Sequence, residues 1–359
     1  MSKPRLIAFY LPQFYPTPEN DEWWEPGFTE WTNVVRAKPL FKGHYQPKIP
    51  RDLGFYDLRV SETREKQADF ARKAGIEGFC YWHYWFGNGK RLLSDVFREV
   101  VESGKPDFPF CLCWANHSWY KKTWDPNSPD KLLIEQTYPG VDDFIAHFYE
   151  MLPAFKDKRY IRLNGKLLFG IYAPLDVKDF LLFKETWNEL AKENGINGFH
   201  FWGFTFDIDK YNCILESGYD SVVFDGILHK RFQRSNFQRK FFGILRRHTN
   251  LSEEMSYYAY SKRMQQLLRK DDCFIPCIVP NFDHSPRSAN RGIIIPDSSP
   301  NKWYSFCKRV FEFYAYRGHE ENLIFIKAWN EWGEGNYLEP DCKYGLGWIV
   351  STREALCEI

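Results

Sequence analysis

Apolar and polar positions along the chain switch repeatedly between two periods. Short runs rich in aromatic and β-branched residues cover 5–11, 76–84, 108–114, 167–173, 199–206, 221–227, 274–280 and 323–329, and such runs read as buried strands. Between them the spacing turns helical. Residues 177–193 place Phe180, Phe183, Trp187, Leu190 and Ala191 on one face, and 302–316 do the same with Trp303, Phe306, Val310 and Phe313. Stripes of that kind pack against a sheet rather than bind a cofactor. Strands alternating with helices predict an α/β chain with parallel pairing, and eight of them suit a (β/α)8 TIM barrel; a doubly wound sheet is the alternative. The 359 residues fit one barrel domain over 1–359, with loop insertions and a basic, aromatic insertion around 230–255.

A barrel gathers its chemistry at the carboxyl ends of its strands. The predicted ends carry Tyr10 and Gln13; His83, Tyr84 and Trp85; Trp114, Asn116 and His117; Tyr172; Asp207; Asp225; Asp283 and His284; then Trp329, Asn330, Glu331, Trp332 and Glu334. Any one of these could be a hydrogen-bonded loop residue. Their convergence on one rim is the signal, and Tyr10, Gln13, His83, Trp85, Trp114, Asn116, Asp283, Trp329, Asn330 and Trp332 are the candidate substrate contacts. The sharpest feature is Asn330-Glu-Trp-Gly-Glu-Gly335. If the chain turns helically there, Glu331 and Glu334 share a face and approach the roughly 5–5.5 Å separation of retaining glycosidases. The competing reading is a solvated loop. Trp329 and Trp332 beside the pair would offer flat faces to sugar rings. Like-charge repulsion and a neighbouring indole raise one carboxyl's pKa, which makes Glu334 the expected acid and Glu331 the base or nucleophile.

Ala8-Phe-Tyr-Leu-Pro-Gln-Phe14, Gly27-Phe-Thr-Glu-Trp-Thr-Asn33, Phe79-Cys-Tyr-Trp-His-Tyr-Trp85, Phe110-Cys-Leu-Cys-Trp-Ala-Asn116 and Asn330-Glu-Trp-Gly-Glu-Gly335 together resemble the WbsX-type glycosyltransferases, also described as glycoside hydrolase family 99-like proteins. The resemblance spans nearly the whole chain. It implies a (β/α)8 barrel and a place in polysaccharide or O-antigen biosynthesis. The related family 99 hydrolases are retaining endo-α-mannosidases with a Glu-Trp-His-Glu motif. Its first glutamate, matching Glu331, acts as a base on the substrate's own 2-hydroxyl; the second, matching Glu334, protonates the leaving oxygen. Here Gly333 stands where those relatives have histidine, a departure that resembles the biosynthetic branch more than the mannosidases and leaves the mannose substrate open. A glycosyltransferase using the same cleft, or a noncatalytic glycan-binding barrel, are the alternatives to a hydrolase.

Composition narrows this further. Aromatic residues make up 19% of the chain, with 14 Trp and 21 Tyr beside 32 Phe, more than a core alone tends to require. With 48 basic and 47 acidic residues the net charge is +1, so no global field favours nucleic acid. Cys111 and Cys113 alternate within one run, and Cys80, Cys273 and Cys277 lie in similar ones, which suggests reduced core thiols and a cytoplasmic setting. No phosphate-cradling glycine loop, Cys-x-x-Cys pair or His-Glu-x-x-His helix occurs, so no cofactor or metal is expected. Asp207-Ile-Asp209 is a weak trace of a nucleotide-sugar site. Residues 230–250 hold seven Lys or Arg and no acid, interleaved with Phe237, Phe241, Ile244 and Leu245. Such a stretch either packs on the barrel or meets an anionic membrane surface, where an oligosaccharide or polysaccharide substrate would be lipid-linked. The apolar run after Met1-Ser-Lys-Pro-Arg reads as a first strand rather than a signal peptide.

Overall fold

The computed structural model describes residues 2–121, 130–228 and 252–359. Eight parallel strands close on themselves: β1 (Arg5–Tyr10), β2 (Ile76–His83), β3 (Phe110–Trp114), β4 (Lys166–Ile171), β5 (Phe199–Thr205), β6 (Ser221–Asp225), β7 (Phe274–Ile278) and β8 (Leu323–Ile326). Their order around the sheet follows the chain, β8 pairs with β1, and β3 pairs with β4, so no edge is left. A helix follows each strand: α1 (Ser61–Ala74), α2 (Asp95–Ser103), α3 (Val141–Phe155), α4 (Phe180–Glu193), α5 (Tyr211–Glu216), α6 (Tyr257–Leu267), α7 (Pro300–Tyr314) and α8 (Gly347–Cys357). This is the (β/α)8 barrel that the periodicity predicts. The stretch 230–250 lies outside the described residues. Among the described residues no helix is long and apolar enough to cross a membrane.

The strands are shorter than their apolar runs for identifiable reasons. Pro109 lacks an N–H, so β3 begins only at Phe110. At the mouth the ladder dissolves into single bonds: Lys327 N–H reaches Ile278 O at 3.0 Å and Trp329 N–H reaches Phe9 O at 2.7 Å. Much of the aromatic surplus fills the barrel. Phe9 stacks on Trp82 with centroids 4.6 Å apart, and Phe325 lies 5.4 Å from Phe9 and 4.9 Å from Trp202. Gly170 of β4 makes room for this plug, because a Cβ there would sit 2.1 Å from the Trp202 ring. Outside the barrel, Phe180, Phe183, Trp187 and Ala191 of α4 are buried as their spacing predicts, around Trp187.

The long connection from β1 to α1 builds one wall of the mouth. Two short helices, Pro18–Trp23 and Glu30–Arg36, are each started by a threonine: Thr17 accepts from Asn20 N–H and Thr29 accepts from Trp31 N–H. They set Trp23, Trp24, Phe28 and Glu30 over the strand ends.

Candidate active site

Beyond β8 the chain makes a hairpin of Asn330–Glu331 against Asn336–Tyr337, with a one-turn 3-10 helix, Trp332–Glu334, at its tip. Gly335, at φ 53°, closes that turn through its N–H to Trp332 O at 2.9 Å. Residues three apart eclipse in such a turn, so Glu331 and Glu334 face the same cleft. Asn330 fixes the hairpin to β1: its amide accepts from Leu11 N–H at 2.8 Å and donates to Leu11 O at 3.0 Å.

The cleft has a volume of about 630 Å³, and its lining includes Gln13, Trp23, Trp24, Phe28, Glu30, Trp82, Tyr84, His117, Trp119, Tyr172, His284, Arg287, Lys327, Glu331 and Glu334. One guanidinium nitrogen, Arg287 Nη1, lies 2.7 Å from Glu334 Oε1 and 3.4 Å from Glu331 Oε1. Those two oxygens are therefore no farther apart than the two distances laid end to end, about 6 Å, which is short of the roughly 6.5–9.5 Å of an inverting pair. Lys327 Nζ stands 3.6 Å from Glu334 Oε2 and 3.9 Å from Asp225 Oδ2, and His284 Nε2 lies 3.7 Å from Glu334.

These neighbours set the charge order. Burial pushes Glu331 up, and the Glu334 charge adds to it, to about 7. Burial also works against ionising Glu334, but Lys327, Arg287 and His284 outweigh it and hold that carboxyl well below the usual range. The surroundings thus favour the proton on Glu331 and the charge on Glu334, where the sequence reading expects the acid at Glu334. The reason is positional: the cations crowd Glu334, and the expected indole neighbour is turned away. Asp225, fully buried at the end of β6, is raised to about 6 by burial despite Lys327. Glu331 Oε2 is buried with no hydrogen-bond partner, as is Glu334 Oε2.

The candidate contacts divide sharply. Gln13 lines the cleft with the two glutamates. Trp329 and Trp332 do not: both are 0% exposed. Trp332 points inward, donating Nε1–H to Glu339 at 2.6 Å and stacking on Tyr337 at 3.8 Å. Tyr10 is buried and donates to Gln67 at 2.7 Å, which in turn donates to Glu339 at 2.6 Å. His83 meets His147, Nε2 to Nε2 at 2.7 Å, and burial lowers it to about 3, so it is neutral. Trp85 stacks on that His147 and donates to Asp143, and Trp114 donates to Trp85 O. Asn116 clasps the Ala173 backbone through 2.8 and 2.9 Å bonds. Asp283 accepts from His44, Gln46 and Ser285, and its N–H donates to Glu334 O at 2.7 Å. These residues hold the mouth together from behind the cleft. Asp207 caps a short turn by accepting from Asp209 N–H at 3.2 Å, and Asp209 is exposed. Among the described residues, no group of three His, Cys, Asp or Glu stands together as a metal site.

Residues 6–352 match the family model described as glycosyltransferase WbsX. The chain belongs to the WbsX glycosyltransferase family. It is 34% identical over 357 residues to WxcX, an uncharacterized protein of Xanthomonas campestris pv. campestris, covering 98% of this chain and 49% of that protein. The chain thus spans about half the length of the curated relatives it matches. Among solved structures, a glycoside hydrolase-like protein aligns with TM-score 0.58 at 15% identity, covering 99% of this chain and 94% of the other. The GH99 endo-α-mannosidase from Bacteroides thetaiotaomicron, in complex with bis-tris-propane, aligns with TM-score 0.56 at 17% identity, covering 100% and 98%. At such identities the likeness is one of fold.

Three charged residues of this WbsX cleft are absent from the sequence-level candidates, as are the rings of Trp23, Trp24 and Trp119. Lys327 had a signal, a charge closing the apolar run Leu-Ile-Phe-Ile. Glu30 lies inside a motif whose tryptophan and glycine draw more notice. Arg287 has no spacing relation to the glutamates at all.

Proposed function

We propose that this WbsX-family chain cleaves or transfers α-linked sugars with retention of configuration, in polysaccharide metabolism. The observation that carries this is the glutamate pair, bridged by one guanidinium in an aromatic-walled cleft of about 630 Å³, a volume that takes an oligosaccharide. Carbohydrate-active chemistry needs a proton for the leaving oxygen and a carboxylate at the sugar. Glu331, which bears the proton, gives it to the glycosidic oxygen as the C1–O bond breaks. Glu334, ionised, bonds to C1 from the opposite face as that oxygen leaves. Water or a sugar hydroxyl then displaces the Glu334 carboxylate from C1 and returns its proton to Glu331, giving hydrolysis or transfer respectively, with configuration retained after two inversions. Gln13, Tyr84, Tyr172 and the Trp23 and Trp119 rings are the sugar contacts of this reading. The buried aromatics Trp329 and Trp332, with Tyr10, Trp114, Asn116 and Asp283, set the shape of the mouth.

The pH profile of kcat/KM tests the order of roles. An acid at Glu331 must be protonated, so kcat/KM is flat between about pH 5 and 7 and falls about tenfold per unit above roughly 7. If Glu331 is instead the base, as the family resemblance implies, kcat/KM rises through the same region.

A further inference from the structure

We propose that Arg287 is a positioning residue: its guanidinium clamps Glu331 and Glu334 in one register and favours the charge on Glu334, and Gly333 is glycine because this clamp fills the space of its side chain. The proposal rests on the two-glutamate reading above and assigns what organises it.

The geometry is specific. Arg287 reaches three carboxylates from two separate elements: Glu30 Oε2 at 3.0 Å from the first connection, and Glu334 and Glu331 at 2.7 and 3.4 Å from the turn beyond β8. The shorter distance to Glu334 adds to the bias toward charge there that Lys327 sets. A Cβ on Gly333 would lie 2.1 Å from Glu30 Oε2 and 2.9 Å from Arg287 Nε, so no side chain fits while the pair is in place. Relatives with a larger residue at this position must build the cleft differently.

The clamp is also held from behind. Arg287 sits on a four-residue turn, Ser285–Ser288, that starts from Asp283. Asp283 Oδ2 is anchored by His44 at 2.8 Å and Gln46 at 2.6 Å, while its backbone N–H is bonded to Glu334 O. The arginine and the glutamate it contacts therefore share one backbone connection. The other groups facing this cluster are Lys327 and Asp225 behind Glu334, His284 beside it, and the Tyr84 and Tyr172 hydroxyls toward the cleft. Arg287 forms ion pairs with both glutamates of the cleft.

Titration of carboxyl-13C-labelled glutamates by NMR, assigned with Glu331→Gln and Glu334→Gln, tests the clamp without needing turnover. In Arg287→Gln the Glu334 midpoint rises by roughly 1–3 pH units, and the gap between the two glutamates narrows. Gly333→Ala, which keeps the arginine but displaces it and Glu30, shifts both midpoints in the same direction; Arg287→Lys gives a smaller change. The amide spectrum confirms folding in each case, and Gly333→Ala decides the matter if Arg287→Gln does not fold. Unmoved midpoints in a folded Arg287→Gln, or wild-type midpoints in Gly333→Ala, overturn the proposal. Should the protein turn over no glycan, the titration still decides the clamp, so its failure and that of the glycosidic reading are told apart.

Discussion

Glu331→Gln and Glu334→Gln each lower kcat/KM on α-linked glycans by on the order of 10²–10⁴, the range for loss of a positioned acid or base, while leaving glycan binding in place. The two variants differ in what they do to the fold. Glu331 holds a proton near neutrality, so its amide replacement changes little charge and stability is nearly unaffected. Glu334 is the ionised partner of Arg287, part-buried, and of Lys327, buried. Its replacement takes away the carboxylate nearest to those cations and lowers the thermal midpoint, because removing one side of a charge pair in a desolvated site strands the other. Calorimetry beside kinetics on both variants checks this asymmetry, and equal stability losses would go against the charge order.

Trp332→Ala is expected to destabilise the protein by about 3–5 kcal/mol, the usual range for truncating a buried tryptophan. Trp332 is 0% exposed, stacks on Tyr337 and packs 5.7 Å from Trp31. It also supplies one of three donors to Glu339, a buried carboxyl raised to about 7, the others being Gln67 and Tyr56. Activity falls too, because Trp332 begins the turn that carries Glu334. Trp332→Phe separates the contributions: it restores most of the apolar volume but removes the indole N–H, at a cost of about 1–3 kcal/mol for the unsatisfied carboxyl. Urea unfolding reads both, with the midpoint shifting and the slope unchanged.

All eight barrel strands were legible because a fully buried parallel strand needs a continuous apolar run, and each of the eight runs is one. Where those runs stop being strand was not legible, since residues such as Lys327 and Trp329 keep single backbone bonds after the ladder has ended. The glutamate pair was legible from spacing and composition alone. What flanks it was not. Trp329 and Trp332 read as sugar platforms beside the pair, yet a hairpin with Gly335 in the left-handed region turns both inward, and the cleft takes its rings from Trp23, Trp24 and Trp119 instead. Arg287 lies 257 positions from Glu30 and 44 from Glu331. Only barrel closure brings them together, and with them a cation that favours the charge on Glu334.

The most direct measurement is turnover of defined α-linked mannosides, rhamnosides and related bacterial oligosaccharides by the wild-type protein and the two glutamine variants, with the product anomer followed by NMR. The account predicts products of retained configuration from the wild type and turnover lost in both Glu331→Gln and Glu334→Gln. Inverted products, or full turnover in either variant, would contradict it.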